Sequence, residues 1–216
     1  PTICSESCVG RIRYIGVILY DADRVVEYAS TKDDKDLYNK QMDIILDPHD
    51  PEIIAKALEQ GITHEFLEAA KKSPVYKMMK EWKIAFPLHP EYRTFPMVWY
   101  VPPLSPVMQE GEVKEDFMNA LDEMRIPVNY LAKMLTAGDE DLIKTALAKM
   151  LALRQFMRER TVEKNENPAI PSELGLSADD YEEMYRYLAI ANYKDRFVIP
   201  TAPNRSKGAD LFGLRA

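Results

Sequence analysis

The sequence predicts a mainly α-helical protein with a few short strands. Three observations carry this. Apolar residues recur at helical spacing, most clearly at Leu142, Ile143, Ala146, Leu147, Met150 and Leu151, the pattern of a helix with one buried face. Prolines and Asp or Ser residues stand where these patterns begin, and so divide the chain into short helices. Runs rich in β-branched and aromatic residues occur in only two places, residues 11–20 and 97–101, and these read as strands.

Along the chain, residues 11–20 form a strand broken or bent at Gly16, because a glycine within a strand weakens it and marks a bend. Asp21 caps a short helix to Ala29. Residues 34–46 read as a helix ending at Asp47-Pro48, since a residue before proline leaves the α region. Asp50-Pro51 opens the next helix, with Ile53, Ile54, Ala57 and Leu58 as its buried stripe and Gly61 as its stop. Thr63 starts a helix to Lys72, and Ser73-Pro74 starts another to about Lys83. Residues 86–106, FPLHPEYRTFPMVWYVPPLSP, hold too many prolines for a helix. They predict an extended segment with one strand at 97–101, either laid over a partner surface or packed on its own domain. Residues 109–123 are acidic and expected to be exposed. Pro127 starts a helix to Thr136, and Asp139 starts the long helix of the clean apolar stripe, to about Arg158. Lys144, Lys149, Arg154 and Arg158 lean toward its C-terminal half, where cations suit the helix dipole. Residues 161–175 form a polar linker. Ser177 to Asp180 resembles a capping box that opens a helix to about Asn192. The tail, residues 201–216, is expected to be loose.

The totals exclude several functions. With a net charge of −7 and scattered basic residues, the chain is not built to neutralise phosphates, so no nucleic-acid partner is expected. No run reaches the length and apolarity of a membrane span. Two cysteines, Cys4 and Cys8, do not make a disulfide scaffold in a chain of 216 residues. The chain begins at Pro1, directly before the cysteine pair, and reads as a piece whose N-terminus lies upstream. No nucleophile elbow, phosphate loop, dinucleotide loop or HExxH pattern is present. His49 and His89 sit beside prolines in turns. The acidic pairs Asp33-Asp34 and Asp179-Asp180 stand at helix starts, where capping explains them. The methionines fall mostly on apolar faces and read as core.

The pair Cys4-Ser5-Glu6-Ser7-Cys8 is the one group that points to chemistry. Spacing alone leaves three readings open: iron–sulfur cluster ligands, incidental surface thiols, or a redox dithiol, whose usual spacing is C-x-x-C. A complete cluster takes about four protein ligands. Arg11 and Arg13 follow, either as positive charge near a cluster or as a solvated strand face.

CSESCVGRIRYIGVILYDAD resembles the last cysteine motif of the respiratory nitrate reductase beta subunit and the strand after it. KDLYNKQMDIILDPHDPEII, SPVYKMMKEWKIAFPLHPEYRTFPMVWYVPPLSP, RIPVNYLAKMLTAGD and EMYRYLAIANYKDRFVIP resemble the same family in the same order. The resemblance implies a polyferredoxin subunit with [4Fe–4S] clusters and one [3Fe–4S] cluster. Such a subunit relays quinol electrons from a membrane-bound haem b gamma subunit to a molybdenum-containing catalytic alpha subunit, at the cytoplasmic face of the membrane. Residues 1–22 would then end a ferredoxin-like cluster domain. Residues 23–200 would form an irregular helical C-terminal region with 86–106 as its wrapping segment. Cys4 and Cys8 would each hold iron of a different [4Fe–4S] cluster. The remaining ligands expected upstream are missing, so this chain alone is expected to bind no cluster and to show no activity. Residues 202–216 do not match the family, and the C-terminus is expected to be truncated or divergent. The alternative reading is a helical subunit-interaction module with incidental thiols.

Overall fold

Several helices begin where the sequence supplies a cap in the computed structural model, which describes residues 7–103, 121, 125–166, 168, 172–190 and 192. The Asp21 carboxylate accepts the N–H groups of Asp23 and Arg24 ahead of α1, Arg24–Ala29. Asp33 caps a 3₁₀ turn, Asp34–Asp36, that leads into α2, Leu37–Ile44. Asp50 accepts from Glu52 and Pro51 occupies the first turn of α3, Pro51–Glu59. Gly61, at φ 85°, then turns the chain into the left-handed region that glycine adopts at low cost, and α4, His64–Lys71, follows. A single α turn, α5, Pro74–Tyr76, runs directly into a π-helical stretch, Lys77–Glu81. After α6, Val128–Leu135, Asp139 accepts from Asp141 and Leu142 and starts α7, Glu140–Thr161. Ser177 and Asp180 form the expected capping box of α8, Ala178–Tyr185, which continues as a second π-helical stretch, Arg186–Ile190.

The short strands are β1, Arg13–Tyr14, β2, Leu19–Tyr20, β3, Ile45–Leu46, and β4, Trp99–Tyr100. The chain breaks around Gly16 into two strands that find different partners. β1 pairs antiparallel with β4, Arg13 opposite Tyr100, and β2 pairs antiparallel with β3, Leu19 opposite Leu46. This corrects the expected helix over 34–46. Its last two residues leave the helix because they can extend against β2. The ends of two helices supply a second correction. Both the helix after Ser73 and the helix after Ser177 end in π geometry, seen in the bond from Trp82 N–H to Lys77 C=O at 2.8 Å.

One core runs from Tyr14 and Tyr38 through Met78, Trp82, Phe86 and Trp99 to the buried face of α7 and on to Tyr181, Met184 and Tyr187. Two satellite clusters flank it: Leu19, Ala57, Leu67 and Ala70, and Tyr28, Leu37 and Ile44. Of the expected stripe of α3, only Ala57 is fully buried, with Ile53, Ile54 and Leu58 packed at its edge. The proline-rich segment contributes to the main core. Phe86 exchanges both backbone hydrogen bonds with Tyr100 at 2.9 and 2.8 Å, and Phe86 and Trp99 are buried. Between them the chain bulges outward through His89 and Arg93, both left-handed, at φ 53° and 58°. The Arg93 guanidinium holds this bulge to the carbonyls of Ala29 and Thr31 and to Asp34, and Tyr28 Oη donates to the Pro90 carbonyl at 2.9 Å. Residues 104–106 of the segment, the acidic stretch 109–120 with 122 and 123, and the tail lie outside the described residues.

Gly16 shows how closely the N-terminal strand region meets the helices. A Cβ there would lie 2.6 Å from Ser73 Oγ and 3.0 Å from Val75 Cγ2, and both residues are fully buried. Gly16→Ala is therefore expected to destabilise the chain by about 1–3 kcal/mol, the usual cost of overpacking a core. Urea unfolding checks this. An unchanged midpoint would mean that the approach of residue 16 to Ser73 is looser than described.

Candidate functional site

Cys8 sits at the start of a tight turn. The Arg11 N–H donates to the Cys8 carbonyl at 3.0 Å, and Val9 at the tip is fully exposed. Arg11 takes the left-handed conformation, at φ 49°, which is uncommon for a residue with a Cβ. The chain then enters β1, whose pairing with β4 anchors the turn to the main core. The thiol is free and half-buried. Burial opposes its ionisation, but the backbone N–H groups of Ile12 and Arg13, the charge of Arg13 and the N–H of Arg11 outweigh it. The Cys8 thiol is held below its ordinary value.

Such a cradle favours the thiolate, the form that attacks electrophiles and binds metals. Its donors are backbone groups, which residue types do not reveal. The sequence signal was the nearness of Arg11 and Arg13 to the thiol. Of the two expected ligands, the structure places Cys8 here, and Cys4 lies outside the described residues. Among the described residues no group of three or more His, Cys, Asp or Glu side chains is arranged to hold a metal ion. Among the described residues the turn offers one thiolate, that of Cys8. None of the described helices is long and apolar enough to cross a membrane.

The other candidates have structural partners. His49 bonds the carboxylate of Asp47, and the His49 N–H holds Asp47 below the usual carboxylate range. His89 bonds Glu91 at 2.7 Å. Glu183 receives the Lys77 ammonium at 2.7 Å and the Tyr187 hydroxyl at 2.9 Å, and Trp82 Nε1 donates to Asp180 at 3.1 Å. Lys149, one of the cations toward the C-terminal half of α7, is buried. It is 8% exposed, and its ammonium donates to the Trp82 carbonyl at 2.9 Å.

Beside the Cys8 turn lies a mostly apolar pocket of about 420 Å³ between the residues after Cys8, the exit of β4, α7 and the end of α8. Ile12 and Val101 form one wall, and Leu153 and Met157 of α7 form another. Sequence reasoning did not find it, because its walls come from segments that are distant in the chain.

Comparison with known proteins accounts for most of this chain. Residues 103–178 match the family described as respiratory nitrate reductase beta C-terminal. The nitrate reductase beta chain of Bacillus subtilis (strain 168) is 56% identical over 218 residues, covering 98% of this chain and 45% of the relative. The respiratory nitrate reductase 2 beta chain of Escherichia coli (strain K12) is 55% identical over 220 residues, covering 100% of this chain and 43% of the relative. The selenate reductase subunit beta of Thauera selenatis is 34% identical over 89 residues, covering 39% of this chain and 25% of that protein. The chain thus spans less than half the length of these two nitrate reductase beta chains. On these matches, the chain belongs to the family of respiratory nitrate reductase beta chains and includes that family's C-terminal region.

Proposed function

We propose that this chain is part of the electron-transfer subunit of a membrane-associated respiratory nitrate reductase. In that reading the intact subunit relays quinol electrons through [4Fe–4S] and [3Fe–4S] clusters. They pass from a haem b gamma subunit to a molybdenum-containing alpha subunit, with the beta subunit peripheral on the cytoplasmic face. Residues 1–22 close the iron–sulfur domain, and residues 23–200 form the helical region that meets the partners. Cys4 and Cys8 each supply a thiolate to a [4Fe–4S] cluster, the other ligands coming from outside this chain.

The observation that carries the reading is the environment of Cys8. A ligating cysteine must be deprotonated, and the thiol here is favoured as thiolate by three backbone N–H groups and the Arg13 charge. Hydrogen bonds to the sulfurs and nearby charge also set a cluster's potential, so the same groups would favour its reduced form. A bound cluster would supply one-electron transfer. The chain's own part is to present the sulfur, hold it by the anchored turn and shield one side of it.

The test uses the intact beta subunit purified without oxygen. Cys8→Ala is expected to lose one cluster's iron and acid-labile sulfide, together with its paramagnetic signal in the reduced protein. Unchanged iron, sulfide and spectrum in that variant would remove Cys8 as a ligand. The exposed part of the proline-aromatic segment favours a second role alongside the first. Tyr92 and Met97 are 70% and 64% exposed, and they would make the partner contact, whereas Trp99 is committed to the core.

A further inference from the structure

The pocket beside the Cys8 turn has an unusual balance of charge. Its floor is apolar, with Met150 and Leu153 buried in the main core and Leu188 closing the far side. Two guanidinium groups, Arg11 and Arg154, line it. Both residues are exposed, and among the described residues neither forms an ion pair with a carboxylate. No aspartate or glutamate is among the described lining residues. The neighbouring cations on α7 behave differently. Lys144 meets Glu140 at 3.6 Å, Arg158 meets Glu163 at 3.4 Å, and Arg160 meets Glu182. In a chain with net charge −7, two arginines that meet no carboxylate among the described residues stand beside an apolar cavity.

We infer that this pocket seats a segment of another polypeptide that carries a bulky apolar side chain beside a carboxylate. The volume is at the small end of the range for ligand sites and suits an anchoring side chain. Burial of that side chain would supply most of the binding energy. The arginines would select the acid, since a guanidinium fork matches a carboxylate in two hydrogen bonds. The site adjoins the Cys8 turn through Arg11 and Ile12, so the occupant would also cover that turn from solvent. The inference rests on reading the chain as a subunit of an assembly. It does not rest on Cys8 holding a cluster.

The test measures fluorescence anisotropy of a labelled peptide with the sequence Glu-Leu-Phe-Glu on the intact beta subunit. A Lys-Leu-Phe-Lys peptide serves as the comparison, and phosphatidylglycerol vesicles serve as a separate probe. The acidic peptide is expected to bind saturably and the basic one at least tenfold more weakly. Arg154→Glu is expected to weaken the acidic peptide at least tenfold while leaving the melting temperature and iron content unchanged. Arg158→Glu, on the same helix but outside the pocket, is expected to leave binding unchanged. The inference is overturned if the two peptides bind alike, if the acidic peptide does not bind, or if only the vesicles bind in an Arg154-dependent way. Loss of Cys8 ligation in the iron assay would leave these outcomes intact, so failure of the cluster reading and failure of this one are distinguishable.

Discussion

Trp82→Ala is expected to destabilise the chain by about 3–5 kcal/mol, the range for deleting a large buried aromatic side chain. For a protein of this size that lowers the melting temperature by roughly 6–20 °C. Trp82 is 1% exposed and ends the first π-helical stretch. Its indole N–H donates to Asp180, and its carbonyl accepts the Lys149 ammonium. Its ring lies 6.0 Å from that of Tyr187. One residue thus ties the turn after α5 to α7 and to α8. Trp82→Phe separates packing from polarity. It keeps a ring in the core and loses the bond to the Asp180 carboxylate, an expected cost of about 1.5–3 kcal/mol for a bond to a charged group. Thermal melts followed by near-ultraviolet dichroism check both. If Trp82→Ala loses no more than Trp82→Phe, the residue does not join the elements in this way.

The acid side of the stability curve should respond to the same residue. Burial works against ionisation of Asp180, but the Ser177 N–H and hydroxyl and the Trp82 indole outweigh it and hold the carboxyl below its ordinary value. A depressed carboxylate contributes stability above its unfolded value, and that contribution is lost as pH falls through the folded value. Removing the indole donor should shrink this contribution in Trp82→Ala.

Lys149→Ala is expected to destabilise by about 2–4 kcal/mol. The loss combines the cavity left by a long buried side chain with the orphaned carbonyl of Trp82. Burial lowers the Lys149 pKa from 10.5, and the charge of Lys83 lowers it further, against a smaller opposing effect of Asp180. The folded chain therefore releases this proton more readily than the unfolded chain does. Stability from Lys149 rises with pH between the depressed folded value and the unfolded value, and is fully present above the latter. The penalty of Lys149→Ala should accordingly be larger at alkaline pH than at neutral pH. Urea unfolding of both proteins across that range checks the sign. A penalty that shrinks as pH rises would show that the buried ammonium is better solvated than its surroundings indicate.

Local signals in the sequence were enough for much of the fold. Asp50-Pro51, Asp139 and the Ser177–Asp180 box start helices in the structure as their side-chain chemistry requires, because a cap needs only atoms within a few residues of the chain. The apolar stripe of α7 is likewise legible, since helical spacing alone places Ile143, Ala146, Leu147 and Met150 on one face. The pair Cys4 and Cys8 was likewise visible in the sequence, whereas the N–H groups that favour the Cys8 thiolate were not.

What the sequence by itself determined was therefore the helical class, most helix starts and the family. Only the tertiary structure decided the rest. Ile45 and Leu46 became a strand because β2 offered them a hydrogen-bonding edge. Lys149 is buried, which its place among the cations of α7 did not reveal, and its ammonium meets a carbonyl from 67 residues away. The pocket beside Cys8 joins the residues after Cys8, the exit of β4, α7 and the end of α8. The physical reason is range. Capping and periodicity act within a few residues, whereas strand pairing, buried charge and cavities depend on which distant segments the core brings together.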